Sequence, residues 1–408
     1  MPLFTPLSLP NGQVLKNRIA KAAMEESMAE AGQLPGAPMQ RLYRRWAEGG
    51  AGLLITGNVM VAPDAMTGPG GLVLEAGTPL APYRAWADSV HAGGAKVWMQ
   101  INHPGRQVFA ALGNPGWAPS AVPLAMGKHG KLFAPVQALS AEQIAAIVQR
   151  FADTARAAEA AGFDGVQVHA AHGYLISQFL SPLSNRRTDA WGGTVEGRAK
   201  LLIDVLRAVR AAVQPGFAVG VKLNSADFQR GGFSEDDARA VVGLLNAEGV
   251  DLLELSGGSY ESPAMQGRTA DGRTLAREAY FLDFARDLAT AATMPVMITG
   301  GIGRRAVAEA VLASGIDVVG LGTALAMQPD LPRQWAQAEA VAPRPVVAWR
   351  DKTIASLATM ALVRRQLHRL GAGKRPAPGA SPLTSLVMDR WMMKGLTRRY
   401  RAWRAAAA

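Results

Sequence analysis

The chain has no cysteine among its 408 residues. That one absence excludes disulfides, iron–sulfur clusters, thiolate zinc sites and a thiol nucleophile. It also leans toward a reducing compartment, so a cytoplasmic location is expected. Histidine is scarce, with six in all. There is no run of about 18 apolar residues, so no segment is expected to span a membrane. The opening stretch, MPLFTPLSLPNGQVLKNR, lacks a continuous apolar core after a basic start, and no signal peptide is expected. A G-x-G-x-x-G turn after the first strand-like segment is missing as well, which argues against a doubly wound nucleotide fold.

What is present begins with composition. Hydrophobic residues make up 49% of the chain, enough for a full-sized core. The net charge of +11 is unevenly placed. From Val346 onward, thirteen Lys and Arg stand against two acids, Asp351 and Asp389, so residues 1–345 are neutral. The basicity belongs to the tail, and the body does not read as a nucleic-acid binder.

Short apolar runs alternate with helical stretches. Strands are expected near Arg18–Met24, Gly52–Val59, Lys96–Ile101, Phe163–His169, Ala218–Asn224, Asp251–Ser256, Pro295–Thr299 and Asp317–Gly322. Helical periodicity fills Pro79–Ala92, Ala141–Ala161, Val195–Val213, Ser234–Glu248, Arg277–Ala292 and Arg304–Ala313. In the second of these, Ile144, Ile147, Val148, Phe151 and Ala155 recur at three- and four-residue steps and form one apolar stripe. Ser140 and Ser234 stand where helix caps are needed. Eight strands in strict alternation with helices predict an α/β fold, a TIM (β/α)8 barrel over residues 1–345. The stretch from about Asn102 to Leu139 is too long for a plain βα turn and reads as an ordered lid or hairpin. Residues 346–408 read as a basic helical C-terminal extension, broken at GAGKRPAPGA.

In such a barrel the reacting groups sit at the C-terminal ends of the strands. Those ends carry Gln100 and His103 on strand three, His169 with His172 and Tyr174 on strand four, and Lys222 on strand five. Strands seven and eight end in glycine turns, Gly300-Gly301 and Gly322-Thr323, whose backbone N–H groups can cradle a phosphate. Two histidines with no third ligand make a poor zinc site. The combination describes a phosphorylated cofactor with a second ligand above it.

The segment HAAHGYLISQFLSPLSNRRTDAWGG, His169 to Gly193, resembles the signature of the old yellow enzyme family of FMN-dependent ene-reductases. QINHPGR, VGVKLNSADF and ITGGI fit the same family, over about residues 1–335. The chain is also similar to the barrel half of bacterial 2,4-dienoyl-CoA reductases, whose cysteine-bound clusters it cannot contain.

The resemblance implies FMN as cofactor and NAD(P)H as reductant, with an activated alkene as the small-molecule substrate. His169 and His172 would donate hydrogen bonds to the substrate carbonyl, and Tyr174 would deliver a proton to Cα while hydride reaches Cβ. Gln100 would bond the polar edge of the flavin. Lys222 stands where the family usually has arginine, as a cation beside the edge where reduction develops negative charge. Gly300, Gly301, Gly322 and Thr323 would receive the phosphate, although many relatives have arginine where Thr323 stands. Ala22, Ala23 and Met24 would lie against the ring, and Gly57 is the matching position on strand two. Glu25 departs from the usual threonine or cysteine near the flavin C4 oxygen, and would tune the flavin potential. Substrate choice would depend on the lid and on Tyr260.

Rival readings keep FMN but change the reaction: an NADH oxidase, an amine demethylase or a dienoyl-CoA reductase-like enzyme. One from another class is a peripheral membrane or partner-binding protein acting through the basic tail. Assembly into a homo-oligomer stays open.

Overall fold

The computed structural model describes residues 2–258, 261 and 282–407. Eight parallel strands close into a ring: β1 (Ile19–Lys21), β2 (Leu53–Ile55), β3 (Lys96–Asn102), β4 (Gly165–Ala170), β5 (Ala218–Asn224), β6 (Leu252–Ser256), β7 (Val296–Thr299) and β8 (Val318–Leu321). Each strand pairs with its sequence neighbour, and β8 returns to β1 through Val319↔Ile19, Gly320↔Ala20 and Leu321↔Lys21. The expected TIM barrel is therefore present. β1 and β2 stop several residues short of the expected Arg18–Met24 and Gly52–Val59, whereas β3 and β4 run one residue further than the apolar runs suggest.

Side chains alternate across each strand, so every second residue points into the barrel. The floor of the interior is apolar: Ala20, Leu53, Trp98, Leu252, Met297 and Val318 pack together there. One layer higher the interior turns polar, with Gln100, Gln167, Lys222 and Glu254 all buried. That switch positions the site.

The helices include α1 (Ala37–Glu48), α2 (Ala81–His91) and α3 (Ala141–Ala160). In α3 the apolar stripe buries Ile144, Ile147, Phe151 and Ala155, and Ser140 forms a capping box with Gln143. Helix α1 is not conspicuous in the sequence, since its buried row is aromatic: Tyr43 and Trp46 stand edge to face 5.1 Å apart. Of the helix expected over Arg277–Ala292, residues 282–292 fall within the described residues, and Leu282–Ala291 is helical.

The lid has its own structure. Gly116–Ala118 and Val136–Ala138 pair as a small parallel sheet, and Arg106 donates from beneath to the carbonyls of Val122 and Pro123. The tail forms two helices, Lys352–Gly371 and Pro382–Ala407. They lie on the loops of the barrel mouth. His368 Nε2 is 3.0 Å from the carbonyl of Glu26, Arg399 donates to Ala29, and Tyr400 donates to the carbonyl of Pro63 while accepting from Asn114 of the lid.

Candidate active site

Strand β4 delivers the first group. His169 lies in register with Lys222 of β5, and Lys222 with Glu254 of β6, so all three face the interior together. After β4 the chain turns sharply through His172, whose φ of 61° is rare for a residue with a side chain. The turn is held by bonds around it: Asn224 accepts from the His172 amide, and Gln107 donates to the His172 carbonyl. The result is a compact aromatic cluster. The His169 ring stands edge-on to Tyr174 at 4.8 Å and to His172 at 5.1 Å between centroids. Tyr174 is buried and opens the short helix α4 (Leu175–Leu180), which the Leu175 amide pins to the carbonyl of His103.

The ring atoms are assigned by their neighbours. The amide of Ala171 donates to His169 Nδ1, which places the proton on Nε2 as a donor. His172 Nε2 meets Ser256 Oγ at 2.8 Å, a contact in which either atom can donate. Burial, then His172, then Lys222 hold His169 well below the usual histidine range, and burial followed by Lys222 does the same to His172. Both imidazoles are therefore neutral at neutral pH.

Beneath them runs a buried polar relay. Gln100 Nε2 donates to Gln167 Oε1 at 2.7 Å, and Gln167 Nε2 donates to Glu254 Oε2 at 2.8 Å. Lys222 Nζ and Thr299 Oγ1 both donate to Glu254 Oε1, at 2.6 and 2.7 Å. An isolated charge at this depth costs several kcal/mol or more, and the pairing, with both Glu254 oxygens bonded, offsets it. Glu254 and Gln167 belong to the site but do not stand out in the sequence. The one available signal is a carboxylate inside an otherwise apolar strand, Leu252–Ser256. Asn102, two residues beyond Gln100 and so on the same face, is fully buried with neither side-chain atom bonded within the described residues. Such a group at a mouth is a ligand contact in waiting.

The cofactor wall is partly as expected. Ala22 is buried at the end of β1, and its amide donates to Leu321 of β8; Ala23 and Met24 follow, half-buried. A side chain on Gly322 would meet Met24 Sδ at 3.8 Å, so the ends of β1 and β8 face each other. Thr323 opens the short helix Thr323–Met327, and Gly301 takes a φ of 64° after Gly300. Arg344, from the segment after the barrel, donates to the Gly301 carbonyl at 2.7 Å. It brings a cation to the turn where Thr323 supplies none. The donor set, an amide and a cation on the interior layer with glycine turns and a guanidinium at one side, fits FMN.

Two further expected residues make bonds within the protein. The Gly57 N–H is spent within the protein on Glu26 Oε1 and the Tyr43 hydroxyl, both at 3.1 Å. These two acceptors belong to a buried cluster with Lys21, whose ammonium donates to Tyr43 and to the Ile55 carbonyl. Burial, opposed by Glu26, pulls Lys21 down to about 8. Glu25 is exposed and accepts from Asn58 Nδ2 at 3.0 Å, which ties it to the loop after β2. Tyr260 lies outside the described residues.

Residues 2–340 match the model of the NADH:flavin oxidoreductase / NADH oxidase family. The NADH-dependent flavin oxidoreductase iliE of Neonectria sp. (strain DH2) is 39% identical over 80% of this chain and 46% of its own length, so this chain spans about half of that relative. The protein of the same name from Hypocrea jecorina (strain QM6a) is 37% identical over 80% of this chain and 87% of its own. Among solved structures, the old yellow enzyme homologue from Zymomonas mobilis superposes with a TM-score of 0.72 at 25% identity, covering 84% of this chain and 94% of that one.

Proposed function

The chain belongs to the NADH:flavin oxidoreductase / NADH oxidase family, that of the old yellow enzymes, and on that premise we propose that it reduces an electron-poor C=C bond. FMN is its cofactor and NAD(P)H its reductant; when bound and reduced, FMN supplies the hydride that the alkene takes at Cβ.

The protein's own residues do the rest. Gln100 and Lys222 would hold the polar edge of the ring, with Ala22, Ala23 and Met24 along it. Gly300, Gly301, Gly322 and Thr323, backed by Arg344, would hold the phosphate. The neutral imidazoles of His169 and His172 donate to the carbonyl oxygen conjugated with the alkene. Negative charge gathers on that oxygen as hydride arrives, so donors fixed in advance lower the barrier. Tyr174 breaks its phenolic O–H bond and forms the new C–H bond at Cα. The lid, clamped by Arg106, keeps water from competing for that proton.

The observation that carries this reading is the cluster itself: a phenol and a second imidazole, each about 5 Å from His169, with His169 in register with the buried cation Lys222. A Tyr174→Phe variant tests it by stopped-flow measurement of the two half-reactions. Flavin reduction by NADH should persist and alkene turnover should collapse by on the order of a hundredfold or more, the usual weight of a positioned acid. If both half-reactions keep their rates, Tyr174 is not the donor.

A further inference from the structure

The charge of the extension is not neutralised where it arises. Both of its acids are engaged: Asp351 caps the first tail helix by accepting from the Thr353 and Ile354 amides, and Asp389 pairs with Arg364. Most of the thirteen cations counted from Val346 onward therefore have no carboxylate within the extension.

The same helices expose apolar side chains in rows. On the second tail helix Leu383, Val387 and Trp391 recur every fourth residue and are 62%, 60% and 80% exposed. Lys394 and Arg398 continue that side of the helix. On the first tail helix Leu357 and Met360 are also exposed, and they flank Ala358 and Ala361, which pack against Leu386. Apolar surface thus borders the helix–helix contact from both sides, and a surface of this kind marks an interaction site.

A third feature involves the loop that leads into the row. Between α1 and the loop joining the tail helices lies a cavity of about 350 Å³. Arg41, Arg44, Arg45, Lys374 and Arg375 line it, and Glu48, its one carboxylate among the described residues, is paired with Arg44 at 2.8 Å. Lys374 and Arg375 form no ion pair among the described residues. Their loop runs on into Pro382, where the row begins.

We propose that the tail hairpin is a docking surface for an anionic lipid bilayer, with Leu383, Val387 and Trp391 entering the interface and phosphate-bearing headgroups taken up by the cationic cavity. A bilayer supplies apolar depth and fixed negative charge side by side, which the two features together require. Nucleic acid would answer the charge and leave the aliphatic row in water. A second copy of this chain would set one strongly cationic extension against another, which opposes a two-fold pairing of this face. No described helix is long and apolar enough to cross a bilayer, so the contact is peripheral. The proposal does not depend on the reaction catalysed.

The test uses the full-length, flavin-loaded protein and sedimentation with phosphatidylcholine vesicles, with and without phosphatidylglycerol. Binding should need the anionic lipid and fall steeply with added salt. Trp391→Glu, Val387→Glu and the pair Lys374→Glu with Arg375→Glu should each weaken it by on the order of tenfold, while NADH still reduces the flavin at the wild-type rate. Equal binding to neutral vesicles, or no binding to either kind, overturns the proposal. So does wild-type binding by the Trp391→Glu variant. A concentration-dependent dimer that Trp391→Glu abolishes, seen by analytical ultracentrifugation without any vesicle binding, assigns the face to a second copy instead.

Discussion

Lys222 donates to Glu254 at 2.6 Å across neighbouring strands, and both side chains are almost wholly buried. The cation proposed for the flavin's polar edge is therefore half of an ion pair, steadied by Gln167 and Thr299 on the same carboxylate. A lone cation would favour the reduced, more negative ring strongly, and a paired one favours it less.

Replacing the carboxylate isolates the cation. Glu254→Gln should raise the flavin reduction potential by about 30 mV or more, since 30 mV corresponds to roughly 1.4 kcal/mol for two electrons. It should also lower stability by about 3 kcal/mol, because one partner of a buried pair is left alone. Dye-equilibrated titration measures the first and thermal melting the second. A potential that stays put means that Lys222 does not act on the ring.

Glu25→Gln offers the contrast. Glu25 is exposed and bonded to Asn58, so solvent screens its charge. Its removal should move the potential less than Glu254→Gln does in the same titration. A larger shift would mean that Glu25 turns toward the ring in the flavin-loaded protein.

Acid should unfold the protein through its histidines. Burial lowers His103 to about 4 and holds His169, His172 and His368 below their usual range. The unfolded chain takes up protons on these groups below a pH of about 6.5, and the folded chain does not. Stability is thus fully present above that pH and lost as pH falls, by up to about 1.4 kcal/mol per pH unit for each histidine. His91, raised by Asp164, works in the opposite sense. Chemical denaturation between pH 7.5 and 5 reads the slope. A flat profile would show that the buried rings gain protons without unfolding.

Gly57 admits no side chain. A Cβ there would collide with the Glu26 carboxylate and the Met24 carbonyl. Gly57→Ala should cost roughly 3 kcal/mol of stability and lower flavin retention, because the end of β1 must shift. Melting temperature and the flavin-to-protein absorbance ratio check this, and an unperturbed variant would disprove the crowding.

Much of the barrel is legible in the sequence because most strands are short apolar runs, several of them set between a helix-ending glycine and a polar turn. The mouth is legible for a related reason: strand ends are readable, and the barrel's geometry says that they converge. Partners chosen by ring closure are not legible. Glu254 meets Gln167 across 87 positions and Lys222 across 32, and Lys21 finds Tyr43 only when β1 packs on α1. Arg344 reaches Gly301 from outside the barrel's repeating pattern. The basic tail could be read as helical from its composition, but nothing in its own residues tells where it lies down.

Tyr400 shows what that last gap hides. One phenol near the end of the chain ties Pro63 after β2 to Asn114 of the lid, and Tyr400 packs among Met60, Met66, Val108 and Leu112. Tyr400→Phe should speed hydrogen exchange over the lid, and unchanged exchange would show that the lid holds itself. If the tie matters, the last helix is part of the doorway through which substrates arrive. Exchanging that helix between relatives would then retune what the enzyme admits, without touching a single group that does chemistry.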